Sequence, residues 1–82
     1  MVFNRIALLR VERALTRKQL AAAVGVNFQT IGYLERGDFN PSVELALKLS
    51  RHFGLPLERV FSLEPFPAIG TEPSLNTTDR TT

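Results

Sequence analysis

Apolar residues recur at three- and four-residue spacing over the first sixty positions, with polar or glycine-containing breaks between the runs. That spacing is typical of amphipathic helices. It predicts five helices, over residues 4–14, 17–23, 28–36 and 42–53 and a short one that begins at Pro56. In the fourth helix it predicts one buried stripe of Val43, Ala46, Leu49, Ser50 and Phe53. The predicted fold class is therefore all-α, a bundle of five helices.

The periodicity changes in residues 61–66, FSLEPF, where Phe61 and Leu63 alternate with polar side chains. Alternation of this kind is typical of a strand. Pairing with the apolar start of the chain, residues 1–4, would give a short two-stranded antiparallel ribbon. From residue 67 the sequence is rich in Thr, Pro, Ser and Gly, which predicts a flexible tail. We therefore expect one folded domain over residues 1–66 and a tail over 67–82.

The segment from Thr16 to Gly37, TRKQLAAAVGVNFQTIGYLERG, contains signals for two short helices joined by a tight turn. Thr16 with Gln19 has the spacing of a capping box, and Asn27 is placed to begin the second helix. Gly25 follows the first of these helices and Gly37 follows the second, at positions where the backbone often adopts positive φ. Counted from Arg17, a small residue lies at offset 4, a glycine at offset 8 and aliphatic residues at offsets 14 and 17. These offsets are typical of a helix-turn-helix, whose second helix enters the major groove of DNA.

The sequence over residues 4–63 resembles the phage-repressor-like helix-turn-helix family, of the Cro/C1 or Xre type. The motifs that carry the resemblance are LTRKQLA (15–21), VGV (24–26), TIGYLERG (30–37), NPS (40–42) and LALKL (45–49). Within the family it is most similar to small stand-alone dimeric repressors, such as the repressor of the enterococcal cytolysin operon. Many members have Gln at position 17 and a polar residue at position 28, where this chain has Arg17 and Phe28.

The resemblance implies that the third helix reads base edges and that residues around it hold phosphates. The expected base contacts are Asn27, Phe28, Gln29, Thr30 and Tyr33, and the expected phosphate contacts are Arg17, Lys18, Arg36, Phe39 and Asn40. Gln29 has an amide that can bond adenine N6 and N7 together, although a surface glutamine is the alternative. Phe28 either meets a thymine methyl or packs on the second helix, and Tyr33 either bonds DNA or covers the edge of the core.

Two further predictions concern structure rather than DNA contact. In the resembled family an arginine of the first helix pairs with the glutamate that ends the reading helix, here Arg10 with Glu35. A bidentate pair would satisfy a partly buried guanidinium, and two separately solvated side chains are the alternative. The second prediction is a dimer interface at the ribbon end of the domain, formed by Val2, Phe3, Leu57, Val60, Phe61, Leu63 and Phe66. A tail folded back over this patch is its alternative.

The charge and the residue content of the chain favour some classes of function and exclude others. Residues 1–63 carry nine basic and five acidic side chains, and no acid occurs between Arg13 and Leu34. The positive charge of this stretch would attract the phosphates of DNA, although an ordinary solvated helix face would carry similar charge. The chain has no cysteine and a single histidine, His52, so we expect no metal site and no cofactor. We also expect no catalytic residues, no signal peptide and no membrane span, hence a cytoplasmic protein that is not an enzyme.

The predicted function is sequence-specific binding of double-stranded DNA by a homodimeric transcriptional repressor with a palindromic operator. A first alternative is an antitoxin or modification-system controller that also binds a protein partner. A second is a protein-interaction module with a degenerate helix-turn-helix. The regular helix-turn-helix spacing and the acid-free stretch favour DNA binding over the second alternative.

Overall fold

The computed structural model of this 82-residue protein describes residues 2–67. Its elements in chain order are β1 (Phe3–Asn4), α1 (Ile6–Glu12), α2 (Arg17–Val24), α3 (Phe28–Arg36), α4 (Val43–Phe53), α5 (Leu57–Val60) and β2 (Phe61–Ser62). Five helices with a small antiparallel ribbon agree with the predicted class. The expected tail over residues 67–82 lies, apart from Pro67, outside the described residues, and so does Met1. None of the helices in residues 2–67 is both long enough and apolar enough to cross a membrane.

The five helices surround one core. It contains Ile6, Leu9, Leu20, Ala21, Val24, Ile31, Leu34, Leu45, Ala46, Leu49, Phe53, Val60 and Phe61. Leu15 and Val26 are partly buried and pack against it from the residues that precede the α2 and α3 caps. Those are the positions expected of hydrophobic staples. Because every helix contributes to this core, α2 and α3 are held rigidly relative to the rest of the domain.

The first helix is shorter at both ends than the predicted range of 4–14. Asn4 belongs to β1, where its backbone pairs with Phe61, and its side-chain Oδ1 accepts a hydrogen bond from the backbone N–H of Ile6 at 3.0 Å. At the other end Ala14 has a positive φ of 56°. A left-handed residue cannot continue a right-handed helix, so α1 stops at Glu12.

The remaining helices follow the predicted ranges within one residue, with local corrections. Ser42 caps α4, since its hydroxyl accepts from Leu45 N–H at 3.1 Å, so the helix begins at Val43. Val43 is 76% exposed and not part of the buried stripe. It is the first residue of α4, and the core contacts of that helix begin one turn later, at Leu45 and Ala46.

The ribbon joins the two ends of the domain. Phe3 is opposite Ser62 and Asn4 is opposite Phe61, in antiparallel register. The ribbon therefore involves two residues of each predicted segment. Val60 and Phe61 are buried in the core of the single chain, at 0% and 8% exposure. Both are predicted at a dimer interface. Val60 has no accessible surface to supply one, whereas Phe61 keeps a small exposed part and lines a groove with Val2, Leu57 and Leu63.

Candidate nucleic-acid interface

The turn between α2 and α3 is fixed by contacts that span only a few residues. The Thr16 hydroxyl accepts from Gln19 N–H at 3.0 Å, and Gln19 Oε1 accepts from Thr16 N–H at 2.8 Å, which completes the predicted capping box. Gly25 ends α2 with φ 76°, and Val26 N–H then bonds the carbonyl of Ala21. Ala21 is buried, and its small side chain lets the helices approach closely. The orientation of α3 is therefore set by the α2 end and the turn together.

The outer face of α3 is exposed from its first turn to its last. Ile31 and Leu34 are fully buried, so the helix is anchored on its inner side. On the outer side Phe28 and Tyr33 are 43% and 44% exposed. Gln29 is exposed and Thr30 is half-buried. Asn27 caps the helix, because its Oδ1 accepts from Gln29 N–H at 2.8 Å. The five expected base contacts therefore lie together at the free side and start of one helix, and the Asn27 acceptor is already in use.

Glu35 holds two arginines. Arg10 Nε lies 2.6 Å from Glu35 Oε2, and Arg10 Nη2 lies 3.4 Å from Oε1, so the expected ion pair is present as a two-contact pair. Arg17 Nε lies 2.9 Å from Oε1 of the same carboxylate. The Glu35 side chain is only 3% exposed, while those of Arg10 and Arg17 are 15% and 50% exposed. One buried carboxylate thus links an arginine of α1 to an arginine at the start of α2.

The sequence did not reveal this second role of Arg17. Its Nε bonds Glu35 while half of the side chain faces solvent, and the expected phosphate contact stays a prediction. The two residues are 18 positions apart and no local spacing relates them. The only signal in the sequence is that Glu35 is the sole acidic residue between Arg13 and Gly37.

The other end of α3 carries a cluster of one cation and two rings. Arg36 Nε bonds Asp38 Oδ2 at 3.0 Å, and its guanidinium lies 5.0 Å from the centre of the Tyr33 ring. Tyr33 in turn lies 6.2 Å from Phe39, in a tilted arrangement. Cation–ring contacts of this kind hold a guanidinium in place. Three expected DNA contacts, Tyr33, Arg36 and Phe39, therefore form one continuous surface.

Lys18 and Asn40 are the remaining expected phosphate contacts. The Lys18 ammonium lies 5.3 Å from the Phe28 ring, so Phe28 does lie beside the start of α2. Asn40 Oδ1 accepts from the backbone N–H of Val2 at 3.2 Å, which ties the loop before α4 to the start of the chain. Lys18 therefore borders the exposed face of α3, whereas the carboxamide oxygen of Asn40 has a structural partner at the start of the chain.

The residues expected at a dimer interface are divided between the core and the surface. Leu63 and Leu57 are 81% and 37% exposed, and both line a groove with Val2 and Phe61, which is completed by the polar residues Glu58, Ser62 and Glu64. Phe3 is half-buried in β1. Phe66 is also half-buried, and the Arg5 guanidinium lies 4.2 Å from its ring centre. We refer to the groove lined by Val2, Leu57 and Leu63 as the apolar end.

Comparisons with known proteins agree with this geometry. The sequence model of the helix-turn-helix family matches residues 6–60, more than half of the chain. This chain belongs to the helix-turn-helix family. An uncharacterised HTH-type transcriptional regulator of Archaeoglobus fulgidus is 42% identical over 58 residues, covering 71% of this chain and 82% of that protein. The narrower likeness to the cytolysin-operon repressor stays a prediction.

Two further members of the family are informative. The cryptic phage CTXphi transcriptional repressor RstR of Vibrio cholerae is 34% identical over 62 residues, covering 76% of this chain and 56% of RstR. The crystal structure of the restriction-modification controller protein C.AhdI of Aeromonas hydrophila superimposes with a TM-score of 0.63 at 29% identity, over 67% of this chain and 83% of C.AhdI. The chain is therefore similar in sequence to a phage transcriptional repressor and shares its fold with a restriction-modification controller protein.

Proposed function

We propose that this protein is a sequence-specific DNA-binding transcriptional repressor that inserts α3 into the major groove and acts as a homodimer in the cytoplasm. The observation that carries the proposal is the exposed outer face of α3, from Phe28 to Tyr33, bordered by Arg17, Lys18 and Arg36. Its inner face is anchored by the fully buried Ile31 and Leu34, so the outer side chains are held in fixed positions. The protein would act by binding alone, with no catalytic step, cofactor or metal.

Within this proposal the side chains divide into two roles. Gln29 would read a base through its free amide, with Phe28, Thr30 and Tyr33 beside it and the Asn27 amide N–H groups at the start of the helix. The positive side chains and Phe39 and Asn40 would meet phosphates, which supply affinity without sequence information. Both carboxylates nearest this face, Glu35 and Asp38, are bound by arginines. Their repulsion of phosphate is therefore partly neutralised.

A binding experiment can separate these roles. Duplexes selected from random sequence by the purified protein should bind with an affinity that falls steeply as salt rises. Gln29→Ala should weaken the selected site by about 1–3 kcal/mol and relax the choice at one base pair. Arg36→Ala should weaken every duplex about equally, and it is a cleaner phosphate variant than Arg17→Ala, which would also remove a partner of Glu35. Identical profiles for Gln29→Ala and Arg36→Ala on a panel of single-base variants would refute the division.

The homodimer is proposed because one reading helix covers too few base pairs to find a site in a genome. A two-fold dimer would read half-sites about 34 Å apart, one turn of DNA. Leu57 and Leu63 at the apolar end are the exposed side chains most suited to the contact, with Val2 beside them and Phe3 and Phe66 near it. Sedimentation equilibrium should show a dimer that Leu63→Glu converts to a monomer. A monomeric unmodified protein at tens of micromolar would exclude the interface.

A second candidate is a controller of a restriction-modification system, because C.AhdI shares the fold at 29% identity. The two candidates predict the same chemistry and different genomic sites. Genomic fragments retained by the purified protein would be sequenced. Sites beside restriction or methyltransferase genes would favour the controller, and sites beside unrelated genes would favour a general repressor.

A further inference from the structure

The first strand and the residue before it connect the apolar end of the domain to α3. Phe3 and Asn4 pair with β2 in the ribbon. Val2 lines the groove of the apolar end together with Leu57 and Leu63. From this short segment two hydrogen bonds reach the end of α3 and the loop that follows it, although the bonded groups are far apart in the sequence.

Asn4 makes the first of these hydrogen bonds. Its side-chain Nδ2 donates to the backbone carbonyl of Leu34 at 2.8 Å, between residues 30 positions apart. The other end of the same amide is also occupied, because its Oδ1 accepts from the N–H of Ile6 at 3.0 Å. Leu34 is fully buried in the last turn of α3, and Asn4 is half-buried. The side chain of one ribbon residue is therefore fixed against the C-terminal end of α3.

The second hydrogen bond reaches the loop between α3 and α4. The backbone N–H of Val2 donates to Asn40 Oδ1 at 3.2 Å. Val2 belongs to the surface proposed for contact with a second copy, and Asn40 is one of the residues expected to meet a phosphate. A residue of the proposed dimer contact is therefore bonded directly to a residue of the proposed DNA contact.

Closure of the helix end does not require the Asn4 bond. The Leu34 carbonyl also accepts from the N–H of Gly37 at 3.0 Å, so it has a partner within the cap of α3 itself. The bond from Asn4 is therefore an additional one, and what it adds is a tie between the end of α3 and the ribbon.

We propose that Asn4 is a positioning residue, which fixes α3 relative to the apolar end and thereby sets the spacing of the two half-sites that a dimer reads. The inference rests on the proposed function, and within it on the homodimer. In a two-fold dimer the separation of the two reading helices depends on how each helix is held relative to the shared contact. A helix that can tilt at its C-terminal end would accept half-sites at more than one separation. The bond from Asn4 to Leu34 restricts that tilt.

Asn4→Ser isolates this bond. A serine hydroxyl retains an acceptor near the N–H of Ile6, but the shorter side chain does not reach the carbonyl of Leu34. Fluorescence anisotropy with the full chain would compare three duplexes. The first is a palindrome selected from random sequence by the unmodified protein, and the second has one base pair added at its centre, which separates the half-sites by about 3.4 Å more. The third contains a single half-site.

The unmodified protein should prefer the original spacing over the lengthened one. Asn4→Ser should reduce this spacing preference about fivefold, the equivalent of one hydrogen bond. Its affinity for the single half-site should be unchanged, because the outer side chains of α3 are the same in both proteins. A residue with a merely structural role would weaken binding to all three duplexes alike.

Two controls separate positioning from stability and from assembly. Loss of one hydrogen bond should lower the melting temperature of Asn4→Ser by about 5 °C. Ala22→Gly should lower it by a similar amount through helix propensity, at an exposed α2 position that lines a different groove with Lys48 and Arg51. This variant should keep the spacing preference of the unmodified protein. Sedimentation equilibrium should give the same dimer for both variants, since neither residue lines the groove of the apolar end.

The outcomes distinguish this inference from the proposed function on which it rests. An unchanged spacing preference in Asn4→Ser, equal losses on the palindrome and the single half-site, or a weakened dimer would each overturn the positioning role. A spacing preference that is also lost in Ala22→Gly would overturn it too, because reduced stability alone would then explain the loss. An unmodified protein that is monomeric, or that binds none of the duplexes, would instead refute the proposed function.

Discussion

The helix-turn-helix and the terminal ribbon are stabilised by contacts of very different range along the chain. Between Thr16 and Gly37 the helix ends are closed by partners within a few residues, as in the Thr16–Gln19 box and the Asn27 cap. In the ribbon, Phe3 pairs with Ser62, at the opposite end of the domain. The caps of the first region depend only on neighbouring residues, whereas the ribbon requires the two ends of the domain to have come together.

The two regions also present different surfaces. The helix-turn-helix exposes donors, rings and cations, and its buried carboxylate is fully occupied by Arg10 and Arg17. The apolar end exposes Leu63 and part of Leu57. A charged surface that avoids self-association and an apolar one that favours it are compatible with DNA at one end and a second copy at the other.

The largest expected effect tests the buried carboxylate. Glu35→Gln removes the charge with little change of shape and leaves Arg10, whose side chain is only 15% exposed, without an ionic partner. Loss of one partner of a fully buried pair costs about 3–5 kcal/mol and less where a partner keeps contact with solvent, so urea unfolding should show a decrease of about 3 kcal/mol. Asp38→Asn is the control, because its pair with Arg36 is about half exposed and should change stability by at most about 1 kcal/mol. Equal effects of the two variants would contradict the assignment of Glu35 as the electrostatic centre.

The next prediction distinguishes residues of the core from residues of the proposed dimer interface near the terminal ribbon. Val60→Ala should lower the free energy of unfolding by about 2 kcal/mol, because Val60 is fully buried within one chain. Leu63→Ala should change the stability of the monomer by less than about 0.5 kcal/mol, since this side chain is 81% exposed. Unfolding would be followed at several protein concentrations, because a dimer makes the melting temperature concentration-dependent. That dependence should weaken in Leu63→Ala and persist in Val60→Ala. The reverse pattern would place the interface elsewhere.

The two regions also differ in how much of them the sequence predicts. The cap residues Thr16 and Asn27 and the helix-ending glycines of the α2–α3 unit were predicted correctly, because each signal acts over a few positions. At the terminal end, the sequence suggested a ribbon but could not separate the buried Val60 and Phe61 from the exposed Leu63. Their burial depends on contacts with residues far away in the chain.

At the candidate DNA surface, too, the sequence predicted local features but not contacts between distant residues. The sequence placed the outer residues of α3 on one face, and it placed Arg10 beside Glu35 because the resembled family has that pair. It did not show that Arg17 shares the same carboxylate, nor that the side chains of Arg17 and Arg36 both lie close to Gly32. These are contacts between side chains of different helices, and their distances are set by helix packing, which the spacing of residues does not encode.

The smallest expected effect concerns the end of α1, where a local signal is missing. Gly25 and Gly37 close α2 and α3 with positive φ, but Ala14 adopts φ 56° after α1 with a side chain that disfavours it. Ala14→Gly should therefore raise the free energy of unfolding by about 0.5–1 kcal/mol, since glycine takes this conformation without steric cost. Ala22→Gly is the same chemical change at an exposed position inside α2, and it should lower stability by about 1 kcal/mol. Opposite signs in urea unfolding would show that α1 ends because long-range packing forces Ala14 into this conformation, and equal signs would mean that Ala14 is not strained.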